Sequence, residues 1–115
     1  MKLLVLAALV AAIAIPAAFA RTASNTLTAT VGPGFNITLT QGGKKVSKLK
    51  AGAYVIKVSD KSNIHDFHLR GPGVQKTTSV GGTGSSTWKV TLKRGKYTYV
   101  CDPHAAAMFG SFTVA

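Results

Sequence analysis

At 115 residues, 46% hydrophobic and only 15% charged, the chain is too short for a multidomain enzyme and too apolar for a flexible basic arm. A single cysteine excludes an internal disulfide framework. Fourteen Lys and Arg against three Asp and Glu give a formal net charge of +11, so any partner met through charge is anionic.

The N-terminal segment reads as an export leader. Lys2 is a minimal positive start, Leu3 to Ile15 is an unbroken apolar run, Pro16 interrupts it, and Ala18-Phe19-Ala20 supplies the small residues of a cleavage site. The run is short for a membrane-spanning helix, and no cysteine near its end offers a lipid attachment point. Residues 1–20 are therefore expected to be a signal peptide and 21–115 one exported domain, in the periplasm or outside the cell.

After Ala20 no helical periodicity occurs, and short alternating segments separated by turn residues predict an all-β chain. In order, the expected strands centre on Leu27-Ala29-Val31, Phe35-Ile37-Leu39, Tyr54-Ile56-Val58 and His65-Phe67-Leu69. A weaker one over Thr77 to Val80 follows, then Trp88-Val90-Leu92, Tyr97-Tyr99-Cys101 and Phe112-Val114. Gln41-Gly42-Gly43-Lys44, Asp60-Lys61-Ser62-Asn63 and Gly71-Pro72-Gly73 punctuate them. Seven to eight such strands are the count of a Greek-key β-sandwich or barrel. The pattern Leu-Lys-x-Gly-x-Tyr occurs twice, at Leu49–Tyr54 and Leu92–Tyr97. In each, a glycine can take a positive φ and the tyrosine hydroxyl can reach back to the connecting backbone, as in a tyrosine corner.

The chemistry concentrates in Cys101-Asp102-Pro103-His104-Ala105-Ala106-Ala107-Met108. An exported protein that keeps one vulnerable thiol beside a histidine and its only methionine after the leader has assembled soft and borderline metal ligands. Two histidines, a cysteine and a weak axial methionine make a blue-copper electron-transfer site. The short loop can aim Cys101, His104 and Met108 at one ion, and the remaining histidine ligand must be His65 or His68.

With Ser62–Leu69 and Tyr99–His104 plus Met108 on a β-sandwich of this size, the chain resembles the cupredoxins, the plastocyanin/azurin family of type 1 copper proteins. The resemblance covers essentially all of the chain after the leader. It implies a single copper ion bound by His65, Cys101, His104 and Met108, and a protein that shuttles one electron. Asp66 stands where that family usually has asparagine, and the loop combines a Cys-x2-His spacing like plastocyanin's with a His-to-Met spacing like azurin's. Strand alternation independently favours His65, which shares parity with Phe67 and Leu69, whereas His68 shares it with Asp66. Asp66 itself is expected to be a solvated loop carboxylate.

No open coordination position and no acid–base pair is implied, so the chain is not expected to be an enzyme. A cysteine–histidine nucleophile lacks an oxyanion site and room for a cleft. A copper carrier or storage protein on the same fold is the alternative to an electron carrier. Two basic groups, Lys44, Lys45, Lys48, Lys50 and Lys89, Lys93, Arg94, Lys96, have few aromatics among them. That disfavours nucleic acid and suggests acidic redox proteins or an anionic membrane surface as partners of a monomer. Electrons should leave beside His104, where Ala105, Ala106, Ala107 and Phe109 are small or apolar, with Lys93 and Lys96 steering the partner.

Overall fold

The computed structural model describes residues 25–115, and the leader expected at 1–20 lies outside the described residues. Ten strands form two five-stranded sheets packed face to face, as the alternation predicts. One sheet contains β1 (Thr26–Val31), β2 (Ile37–Gln41), β3 (Lys44–Lys45), β5 (Gly52–Asp60) and β8 (Gly84–Leu92), ordered β3-β2-β1-β5-β8. The other contains β4 (Lys48–Leu49), β6 (His68–Gly71), β7 (Val74–Thr77), β9 (Gly95–Val100) and β10 (Phe109–Val114), ordered β4-β10-β9-β6-β7. The strands beyond the expected seven to eight include β3 and β4, two residues each, too short to show alternation.

Inward-facing side chains meet between the sheets. Leu27, Ala29, Val31, Leu39, Ile56 and Val58 from the first sheet pack with Leu69, Tyr97, Tyr99, Phe112 and Val114 from the second. Tyr97 stacks on Phe112 with ring centroids 5.1 Å apart, and Tyr99 stacks on Phe67 at 5.4 Å. This core aligns the strand ends. β5 and β1 run parallel toward one end, where Asp60 pairs with both Val31 and Gly84, and β9 runs to the same end, where Val100 pairs with His68 and Phe109. We call this the upper end; the lower end carries the β8–β9 turn.

Three local expectations change. Phe35 precedes β2 and is 65% exposed, not a core residue of that strand. The strand expected at His65 begins only at His68, because the segment from Lys61 to Phe67 is a loop held by side chains instead of by a β-ladder. The weak strand placed at Thr77 to Val80 lies earlier, as β7, since the Gly71-Pro72-Gly73 turn returns the chain at once into a hairpin with β6.

Both tyrosine corners are present. Tyr54 Oη donates to the Lys50 carbonyl at 2.7 Å, behind Gly52 at φ 151°. Tyr97 Oη accepts from the Lys93 amide at 2.9 Å and donates to the Pro72 carbonyl at 2.7 Å, behind Gly95 at φ 142°. Tyr97 therefore ties the β8–β9 turn to the β6–β7 turn. Since a buried hydrogen bond lost with its partner left unpaired costs about 1–3 kcal/mol, Tyr97→Phe should lower the thermal midpoint more than Tyr54→Phe. Paired melts of the two variants check the order.

Candidate metal centre

Three loops converge at the upper end, following β1, β5 and β9. Cys101 directly follows β9 and is fully buried. A single 3₁₀ turn, Asp102–His104, with Pro103 inside it, then reverses the chain. The His104 amide donates to the Cys101 carbonyl at 3.0 Å, the Met108 amide donates to the His104 carbonyl at 2.9 Å, and the Cys101 amide donates to the Met108 carbonyl at 3.0 Å. These bonds close a compact loop with Cys101, His104 and Met108 on it; the Met108 side chain is 1% exposed.

His65 arrives from the loop after β5, itself anchored by a buried carboxylate. Asp60 accepts from the Ser62 amide and the Thr78 hydroxyl, both at 3.1 Å, and the Phe67 amide donates to that hydroxyl at 2.9 Å. A third wall comes from Gly32, at φ 71°, where an added Cβ would lie 2.9 Å from Ser62 Cβ and 3.2 Å from His65 Cδ2. Only a glycine permits this close approach to the histidine edge.

The outcome is a triangle of electron-pair donors. His65 Nδ1 and His104 Nδ1 are 3.1 Å apart, and Cys101 Sγ is 3.6 Å from the first and 3.5 Å from the second. A point equidistant from such corners lies about 2 Å from each, the reach of an imidazole–metal bond. Nδ1 is the nitrogen of His65 that faces the other two donors, while its Nε2 is buried without a protein partner among the described residues. Burial pushes the Cys101 thiol above its usual range, while the backbone amides of Asp66 and His104 pull the other way. A cation in the triangle reverses the burial effect by binding the thiolate directly. The donor set thus fits a soft or borderline metal ion.

His68 lies outside this triangle, but not for the reason that strand parity offered, since His65 stands in a loop and His68 begins β6. Its Nδ1 is 2.9 Å from one Asp102 carboxylate oxygen and 3.0 Å from the other, and it joins Asp66 and Asp102 in a separate polar cluster. Asp66 corrects an expectation: it is buried, not solvated. Its Oδ1 accepts the Asp102 amide at 2.5 Å and its Oδ2 accepts the Thr77 hydroxyl at 3.2 Å. The carboxylate thereby ties the residue after Cys101 to the residue after His65. Burial, reinforced by the Asp102 carboxylate, pushes Asp66 above the usual carboxylate range; the hydrogen bond from Asp66, then His68, holds Asp102 below it. The pair thus keeps any shared proton on Asp66.

Phe35 is the other residue that pattern reading misplaced. Its ring meets those of His65 and His104 edge-on, at centroid distances of 5.3 and 5.0 Å, while most of its own surface faces solvent. An apolar residue in a Gly-Pro-Gly-flanked loop is the one sequence signal that it does not belong to the core.

A β-sandwich with a buried Cys-His-His triangle at one end defines a cupredoxin-type metal protein. The sequence profile of the copper-binding proteins of the plastocyanin/azurin family matches residues 10–115, so the chain belongs to that family and binds copper. It is a blue copper protein and not an enzyme. Among solved structures it is similar to reduced rusticyanin, at 20% identity over 78% of each chain with a TM-score of 0.59. Rusticyanin from Thiobacillus ferrooxidans gives 22% identity, coverage of 78% of this chain and 76% of that one, and a TM-score of 0.56. Dithionite-reduced auracyanin from Roseiflexus castenholzii gives 20% identity, coverage of 81% and 98%, and a TM-score of 0.55. At these identities the likeness is one of fold. No curated protein matches the chain by sequence.

The Asp66 tie has a measurable energy. Asp66→Ala leaves the Asp102 amide without its acceptor at a cost of about 1–3 kcal/mol, whereas Asp66→Asn keeps an acceptor oxygen in place. Thermal melts should therefore rank wild type and Asp66→Asn together, above Asp66→Ala.

Proposed function

We propose that His65, Cys101, His104 and Met108 hold one copper ion and that the protein is an exported one-electron carrier. The observation that carries this reading is the buried triangle, in which two imidazole nitrogens and a thiol meet with no protein cation between them. When bound, copper supplies the Cu(I)/Cu(II) couple and the thiolate-to-metal charge transfer that colours such sites.

The chain's own residues do the rest. The loop hydrogen bonds hold Cys101 and His104 at a set separation, and the Asp60 and Asp66 carboxylates hold His65 against them. Ligands fixed in this way move little when an electron arrives, which keeps the reorganisation small. Met108, on the same hydrogen-bonded loop, would add a soft thioether donor. Water is kept away by Phe35 over the two histidine rings.

His104 is the part-exposed member of the set, and it is surrounded by exposed Ala105, Ala106, Ala107, Phe35 and Phe109. Electrons pass there, by close apolar contact with a redox protein. Lys93 lies in the β8–β9 turn at the lower end, and Lys96 follows Gly95 there, its side chain lining a surface groove that reaches Ala105 and Phe109. Export rests on the apolar leader of residues 1–20. The carrier reading is favoured over copper delivery by the closed, hydrogen-bonded loop, which opposes release.

Absorption spectra and copper content test the ligand set. Cys101→Ser should abolish the intense visible band, and His65→Ala should lose or convert it, whereas His68→Ala should leave it nearly intact. A colourless wild-type Cu(II) form would overturn the assignment. Met108→Leu should retain copper and colour but raise the reduction potential, since only a weak donor is lost. Repeated reduction and oxidation with full retention of copper separates an electron carrier from a protein that hands copper on.

A further inference from the structure

The two basic groups that are far apart in sequence become one surface in the fold. Lys44 and Lys45 sit opposite Gln41 and Thr40, where β2 nears the lower end. Lys48 pairs with Thr113 beside Lys96, and Lys50 precedes Ala51, whose amide donates to the Ala115 carbonyl. Lys93 and Arg94 form the β8–β9 turn, and Lys89 pairs with Val55 in the lower half of β5. All eight side chains are exposed.

The acids are elsewhere. Asp60, Asp66 and Asp102, the only Asp or Glu in the chain, all belong to the upper end. Among the described residues the one ion pair is between His68 and Asp102, so no carboxylate side chain neutralises the lower lysines. Among the described residues, exposed large apolar side chains are also absent from that end: Phe35, Ile64, Val80 and Phe109 lie in or beside the upper loops. The nine-residue β5 separates the two ends by roughly 30 Å at a strand rise of about 3.3 Å per residue. The molecule thus has an apolar copper end and a cationic pole opposite it.

We infer that this pole adsorbs to an anionic phospholipid surface and holds the protein with its copper end turned outward. Two features favour a bilayer over an acidic protein. The basic side chains spread over strands and turns of both sheets without an exposed large apolar residue or a carboxylate side chain among them in the described residues, which matches a diffuse plane of charge and not a shaped protein patch. An acidic redox protein drawn to this pole would dock a full strand length from His104, where it could not exchange electrons.

The test is co-sedimentation of the exported, copper-loaded protein with vesicles of phosphatidylcholine mixed with phosphatidylglycerol, against phosphatidylcholine alone as the baseline. Binding to the anionic vesicles should exceed the baseline and vanish in 1 M salt, where the Debye length falls to about 3 Å. Replacing Lys44, Lys45, Lys93 and Arg94 by Gln should weaken it by about fivefold per cation removed. Replacing Lys57 and Lys61 by Gln, outside the pole, should weaken it much less for each charge removed, and the blue absorption of both variants should report an intact fold. Equal losses per charge in the two variants, or no preference for anionic vesicles, would overturn the inference. So would a slowed electron exchange with an acidic redox protein in the pole variant, which would assign the lysines to protein docking. Sedimentation needs no electron transfer, so its outcome is independent of whether the copper site carries electrons.

Discussion

Three lone-pair donors brought within 3.6 Å of one another in a buried pocket have no stable arrangement without a shared proton or a cation, and the upper end of this protein is built around that condition. The thiol is buried and therefore disfavours its own charged form; a metal ion inverts that preference and turns the burial into a barrier against water. Everything nearby holds the donors in position. The 3₁₀ turn sets Cys101 and His104, Gly32 leaves space for the His65 edge, and Phe35 covers both rings.

Carboxylates are used here as structural acceptors. Each of the three aspartates accepts hydrogen bonds in the loops that carry the donors, or links those loops to β6. Asp66 ties the two ligand-bearing segments directly, since its side-chain oxygen accepts the amide of the residue that follows Cys101 while its own backbone follows His65. That allocation leaves the rest of the surface without side-chain anions, and the separation of cationic and metal-bearing ends follows from it.

The two ends then meet different demands. The apolar rim around His104 permits close approach over a short distance, which electron exchange requires, whereas the lysine pole acts through long-range and salt-sensitive fields. A protein that placed its lysines around His104 would surround its contact surface with solvated charge. Here the strands of the sandwich keep the two functions apart.

Period-two alternation made the β-sandwich legible, and a lone cysteine followed three residues later by histidine marked the loop in which Cys101 and His104 meet. The sequence by itself also determined both tyrosine corners, since Gly-x-Tyr after a Leu-Lys turn is a local geometry. The tertiary structure decided what depends on distant segments meeting. Asp66 looked solvated because nothing local showed that the Asp102 amide, thirty-six residues later, would be its partner. Phe35 matched a strand pattern by spacing alone, and only the approach of His65 and His104 to its loop gave it a place outside the core. The two lysine groups were legible as composition, but their union at one pole depends on strand direction and pairing, which alternation does not encode because it specifies faces and leaves neighbours open.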